Sequence, residues 1–283
     1  MRLVVWTALA MVAFAANSVL NRVAVGGGLM DPAGFAVIRL AAGAAMLALL
    51  VAIRYRFAAG AVWPGVEGRL TGVAGLLIYL FGFSAAYLAL GAGVGALILF
   101  GMVQITMFAG AVFSGEAVPV RRWFGAMLAF GGLLVLFAPG AGGVSWPHAG
   151  LMALAGLGWG LYSLAGRGQT DALAATAANF VLALPFGLLA MLFYPLGLMT
   201  SAGVALALVS GAITSGLGYA LWYSLVPHLG AARSGVAQLS VPVIAALGGI
   251  AFGEPVELRF AVAAAVVLSG VALASIQGRR STL

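Results

Sequence analysis

Apolar runs long enough to cross a membrane recur ten times along this chain, and its charged residues fall between them or near their ends. A helix needs roughly 20 apolar residues to cross about 30 Å of hydrocarbon. The runs cover residues 3–25, 32–53, 70–90, 94–113 and 122–138, then 147–166, 172–194, 203–226, 233–252 and 257–277. Ten such spans use roughly 200 residues and leave only short connections, with no room for a separate soluble domain. A chain of 283 residues that is 64% hydrophobic and 7% charged is built for hydrocarbon, so the expected fold class is all-α integral membrane. Asp31-Pro32 is a helix entry, because Asp caps free amides and Pro fits the first turn.

All thirteen basic residues are arginine. They form no patch or stripe, so the basicity reads as topology and no nucleic-acid partner is expected. With the N-terminus inside, Arg2, Arg54, Arg56, Arg69, Arg121, Arg122, Arg167, Arg233, Arg279 and Arg280 share one side. Only Arg22, Arg39 and Arg259 face the other, which predicts both termini in the cytoplasm. The first run also imitates a signal peptide, with Arg2 and Ala13-Phe14-Ala15, but the repeat below argues that it is retained. Without cysteine there are no disulfides and no thiolate chemistry.

The chain repeats itself. Ala8-Leu9-Ala10 recurs as Ala153-Leu154-Ala155, and the same register sets Phe14 against Trp159, Ser18 against Ser163 and Arg22 against Arg167. At smaller offsets Asp31 falls on Asp171, Gly115-Glu116 on Gly253-Glu254 and Gly132 on Gly270. The reading is two repeats, residues 1–140 and 141–283, of five spans each. An odd number of spans inverts the second repeat relative to the first, an architecture of secondary transporters that hold substrate near the midplane.

Ten spans in two halves, an arginine in span two (Arg39) and a Gly-Glu pair closing the fourth span of each half resemble the EamA-type members of the drug/metabolite transporter superfamily. The resemblance covers essentially the whole chain and is nearest to the YddG-type amino-acid exporters of bacterial inner membranes. It implies export of aromatic and other neutral amino acids. The family commonly has Pro in the middle of spans four and nine; here Pro242 fills the ninth and Gln104 stands in the fourth.

Polar side chains inside hydrocarbon are costly and are expected to face the bundle interior. Phe14, Asn17, Ser18 and Asn21 share one helical face of span one, and the repeat sets Trp159, Tyr162 and Ser163 on the matching face of span six. These faces are the expected cavity walls, although Asn17 and Ser18 would also serve as hydrogen-bonding links between helices. Gln104 and Gln238 stand alone in apolar sequence, and Pro242 deprives the Gln238 carbonyl of its helical donor, which predicts a kink. Tyr79, Phe83, Trp222 and Tyr223 add aromatic surface. The expected substrate-binding set is Asn17, Ser18, Tyr79, Gln104, Trp159, Tyr162, Ser163, Trp222 and Gln238, with Pro242 as the kink.

Arg39, about seven residues into span two, could attract a carboxylate, but snorkelling to the outer headgroups is the expectation. Glu116 and Glu254 are expected to order helix ends, and Trp6, Trp63, Trp123 and Trp146 to sit in the interfacial belts. No acid lies mid-span and Arg does not release its proton, so gradient-driven, facilitated movement is expected rather than proton coupling. No zinc motif, Ser/His pair or Walker loop points to an enzyme, a metal or a cofactor. Spans five and ten are nearly without polar atoms and are expected at the periphery, as scaffold or as the face of a homodimer. The alternative substrate class is quaternary-ammonium drugs.

Overall fold

The structure, a computed structural model, describes residues 2–56, 68–115, 118–137, 144–167, 169–194, 197–255 and 257–275; Trp63, Glu116, Arg279 and Arg280 lie outside them. Helix α1 (Arg2–Asn21) runs into a π-helical turn (Arg22–Gly26) and is followed by α2 (Pro32–Arg56), α3 (Arg69–Ala86), α4 (Ala92–Phe113) and α5 (Val120–Phe137). The second half has α6 (Trp146–Ala165), α7 (Ala172–Ala190), α8 (Ser201–Val209), a π-helical stretch (Ser210–Leu217), α9 (Gly218–Gln238), α10 (Ser240–Ala251) and α11 (Leu258–Ser275). Among the described residues there is no strand.

Over its described residues, each of the ten apolar runs is mainly helical. The eighth and ninth share α9, which breaks at Gly230, whose φ of 73° and ψ of 165° only glycine adopts readily. Among the described residues, six segments are long and apolar enough to cross a membrane: Arg2–Gly26, Pro32–Arg56, Arg69–Ala86, Ala92–Phe113, Ala172–Phe193 and Ser201–Gly230. The outside of the bundle is apolar, with Trp6, Phe124, Phe130, Phe186 and Leu192 all exposed, as a lipid solvent requires. Trp123 and Trp146 are exposed as well.

Local chemistry sets the helix ends. Asp31 Oδ1 accepts from the Gly34 amide at 2.8 Å and Asp171 Oδ1 from the Ala174 amide at 3.1 Å, so the two aligned aspartates cap α2 and α7 in the same way. The two Gly-Glu pairs also have a backbone reason. Gly115 (φ +71°) and Gly253 (φ +86°) both take the left-handed conformation that ends a helix. At the second, the Gly253 amide donates to the Ile250 carbonyl and the Glu254 amide to that of Gly249.

Missing side chains bring helices together. A methyl group on Gly158 would lie 2.7 Å from the Gly75 carbonyl oxygen, and one on Gly75 would lie 2.6 Å from that of Gly158, so α3 and α6 cross backbone to backbone. Helices α5 and α11 pack on one another, Gly132 against Val267 and Gly270 against Ala129. Helix α2 packs on α7, α4 on α10 and α6, and α1 on α10 and α9. That arrangement leaves a central space bounded by α1, α3, α4, α6 and α9, with α7 (Thr176, Asn179) and α5 (Gly125, Ala129) completing the wall. Contrary to expectation, α5 is therefore not wholly peripheral.

Candidate functional site

The central space is a cavity of about 430 Å³, and all nine residues of the expected substrate-binding set line it. Asn17 and Ser18 come from α1, Tyr79 from α3, Gln104 from α4, and Trp159, Tyr162 and Ser163 from α6; Trp222 and Gln238 come from α9. Phe14, Phe83 and Tyr223 join them. Asn21, on the same face of α1, does not line the cavity; it is fully buried beyond it and donates to Ser84 Oγ at 3.0 Å. Leu239, three residues before Pro242, keeps helical dihedrals, but its amide donates to the Val236 carbonyl at 3.1 Å, a tightened turn where α9 meets α10, and Pro242 borders a small crevice with Gln104 and Gln238.

Trp159 is the hub of an aromatic wall. Its ring stacks on Tyr162 at 5.0 Å between centroids and on Tyr219 at 5.2 Å, and meets Tyr79 at 4.9 Å. Phe14 lies edge-on to Trp222 at 5.8 Å. Such rings offer a large apolar surface with hydroxyls at its border, which suits a ligand that is part apolar and part polar. Tyr219 is absent from the expected set. Its position three residues before Trp222 and four before Tyr223 is the signal that could have found it.

Asn17 is held from the second half. Its Oδ1 lies 2.8 Å from Ser210 Oγ, 2.6 Å from Thr214 Oγ1 and 3.3 Å from Ser215 Oγ, all donors from the π-helical stretch. Asn17 therefore both lines the cavity and joins helices, combining two roles that the sequence set as alternatives.

Arg39 departs from expectation. It does not snorkel: it is 0% exposed, with Nη2 donating to Tyr79 Oη at 2.7 Å and Nε to Ser215 Oγ at 3.2 Å. The physical reason is that Phe83 and Tyr79 place their rings 5.0 and 5.2 Å from the guanidinium carbon, giving it an aromatic seat inside the bundle.

The two ends of the cavity differ. At one, Arg69, Arg122 and Arg167 line the opening, and Arg122 and Arg167 are exposed. Arg69 is anchored there by the Ala175 carbonyl at 2.7 Å and Asn179 Oδ1 at 2.8 Å. Beyond the other end, Arg22 Nε meets Glu254 Oε1 at 2.8 Å, and Glu254 Oε2 accepts from the Ala92 amide at 2.8 Å. Glu254 thus orders a helix start, as expected, and also closes an ion pair. At the periphery near the open end, Asp171 accepts from the Tyr55 hydroxyl and from Arg54 at 3.2 Å. Burial works against the charge of Asp171, yet the Tyr55 hydroxyl, the Ala174 amide and Arg54 together hold its carboxyl below the usual range. Among the described residues, no Asp or Glu lines the cavity and no cluster of acids and histidines could hold a metal.

Residues 147–276 match the EamA-like transporter family. Over 274 residues the chain is 46% identical to an uncharacterized protein of Pseudomonas aeruginosa, covering 96% of this chain and 94% of that one. A solved crystal structure superposes with a TM-score of 0.63 over 98% of each chain at 20% identity, a likeness of fold.

Proposed function

The chain belongs to the EamA-like transporter family, and so to the drug/metabolite transporter superfamily, and from that premise we propose that it is a secondary carrier exporting amino acids, aromatic and other neutral ones, or similar small metabolites. On this reading ten spans form two inverted five-helix repeats in a bacterial inner membrane with both termini cytoplasmic, and access alternates between its faces. The observation that carries it is the cavity: about 430 Å³, walled by stacked rings, bordered by the amides of Asn17, Gln104 and Gln238, open at one end and closed at the other. A space of that size and lining accommodates one small amphipathic molecule.

Packing supports the repeat. Exchanging the halves turns the contact of α4 with α6 into that of α10 with α1, and the contact of α3 with α6 into that of α9 with α1; both members of each pair occur. The contacts of α2 with α7, of α4 with α10 and of α5 with α11 map onto themselves. The exposed face of α5, with Trp123, Phe124 and Met127, is left for lipid or for a second copy.

An aromatic wall also suits a quaternary ammonium ion, through the ring faces. Charge favours the metabolite reading, because the charged residues lining the cavity are Arg69, Arg122 and Arg167, which repel a cation. The test is uptake by proteoliposomes of a panel of labelled amino acids, with and without a pH gradient. Saturable uptake of neutral and aromatic amino acids, indifferent to the pH gradient, is expected. Movement of quaternary ammonium compounds with none of the amino acids would overturn the proposal.

A further inference from the structure

Among the described residues, Arg39 is the only charged side chain that is buried. It lies about two turns into α2, and an arginine does not shed its proton to escape such a place. Its Nη1 is buried without a hydrogen-bond partner. Among the described residues no acid pairs with Arg39: Asp31 and Asp171 cap helices through Oδ1, and the ion pairs are Arg22 with Glu254 and Arg54 with Asp171. The rings of Tyr79 and Phe83 soften the cost of burial but leave the charge uncompensated. A buried, uncompensated cation calls for an anion that the described residues do not supply.

The route from that charge to the cavity is Tyr79. Its hydroxyl oxygen accepts from Arg39 Nη2 at 2.7 Å, so its own hydrogen is left for an acceptor other than Arg39, and Tyr79 lines the cavity. A hydroxyl that accepts from a guanidinium is a stronger donor than an isolated one. Tyr219, which also borders the cavity, lies against both Tyr79 and Arg39 and brings a second hydroxyl to the same place. A second relay runs from Arg39 Nε through Ser215 Oγ to Asn17 Oδ1 and fixes the guanidinium against the wall. With arginines at the mouth and, among the described residues, no carboxylate in the lining, the charge of the cavity wall favours a negative group.

We infer that the cavity selects substrates bearing a carboxylate, and that the Tyr79 hydroxyl, polarised by the buried Arg39, is the group that receives it. The inference rests on the carrier reading and narrows its substrate class. Tyr79 touches the substrate; Arg39 is a positioning residue that acts through it. The aromatic wall around Trp159 holds the body of the molecule.

The experiment is calorimetric titration of the purified full-length protein in detergent with four phenyl compounds: phenylalanine, phenylacetate, phenylalaninamide and phenethylamine. The two carboxylates are expected to bind roughly tenfold or more tighter than the two amines that lack one, the weight of a hydrogen bond to a charged group. Y79F removes one oxygen and is expected to erase most of that preference, bringing the two carboxylates to within about twofold of the two amines. R39Q is expected to do the same and R39K to keep part of it; should R39Q not fold, Y79F decides alone. Equal binding of all four compounds, no binding of any, or a preference that survives Y79F would overturn the inference. Binding of phenylacetate without phenylalanine would sustain it and remove the amino-acid reading instead.

Discussion

Arg22 and Glu254, 232 residues apart, meet at 2.8 Å beyond the closed end of the cavity, and the same carboxylate holds the Ala92 amide at the start of α4. The contact ties α1, α4 and the turn after α10 into one lock. A carrier that alternates has to open it.

E254Q is therefore expected to favour the state open at that end. The pair is partly exposed, so the shift is modest, about 1 kcal/mol or about fivefold in the equilibrium. The chain has no cysteine, which makes S84C, placed beside Asn21 between the cavity and the lock, a clean reporter. A membrane-impermeant maleimide added from outside is expected to label S84C several-fold faster in the E254Q background than alone. Equal rates would show that the ion pair does not hold that end shut.

The backbone crossing of α3 and α6 leaves no room for a side chain. G158A puts a methyl group 2.7 Å from the Gly75 carbonyl oxygen, and backbone cannot swing aside as a side chain does. Overpacking of this kind costs about 1–3 kcal/mol, so a clear fall in Tm in detergent is expected. An unchanged Tm would mean that the crossing is looser than described.

Asn17 takes hydroxyls from three residues of the π-helical stretch. N17A leaves Ser210, Thr214 and Ser215 without this acceptor and is expected to cost about 1–3 kcal/mol. Transport should fall with it, since Asn17 also lines the cavity. Full transport and full thermal stability in N17A would remove it from both roles.

Acid should loosen the join of α2 to α7. Because the Asp171 carboxyl is held below its ordinary value, it contributes stability above the usual aspartate pKa of about 3.9 and loses it as pH falls through the lower folded value. Arg54 is 55% exposed, so its part is screened and the hydrogen bonds of Tyr55 and Ala174 carry most of the effect. The Tm of the wild type is expected to drop more steeply than that of D171N between about pH 5 and pH 3. Parallel curves would contradict this.

Much of this architecture was legible in the sequence because hydrocarbon is an exacting solvent. It demands runs of roughly 20 apolar residues, so the helical runs and the Asp31 cap could be read locally, whereas Asp171 was read only as the repeat partner of Asp31 and its cap came from the structure. The face of α1 that carries Phe14, Asn17 and Ser18 was equally legible, since helical spacing alone puts those residues together. Arg39 was not. Its position in α2 suits snorkelling as well as burial, and what decides is Tyr79, Phe83 and Ser215, all distant in sequence. Nor could Asn17 be matched with its donors, because the π-helical register of Ser210–Leu217 departs from the helical period that sequence spacing assumes.

The central claim, that this is a carrier whose cavity binds an amino acid or a close relative, is tested most directly by counterflow. Proteoliposomes preloaded with unlabelled phenylalanine should take up the labelled compound saturably and faster than empty ones, and W159A, which removes the ring that joins Tyr79, Tyr162 and Tyr219, should weaken that saturation roughly tenfold. Uptake that rises linearly with concentration, or that ignores both the preload and W159A, would contradict the account.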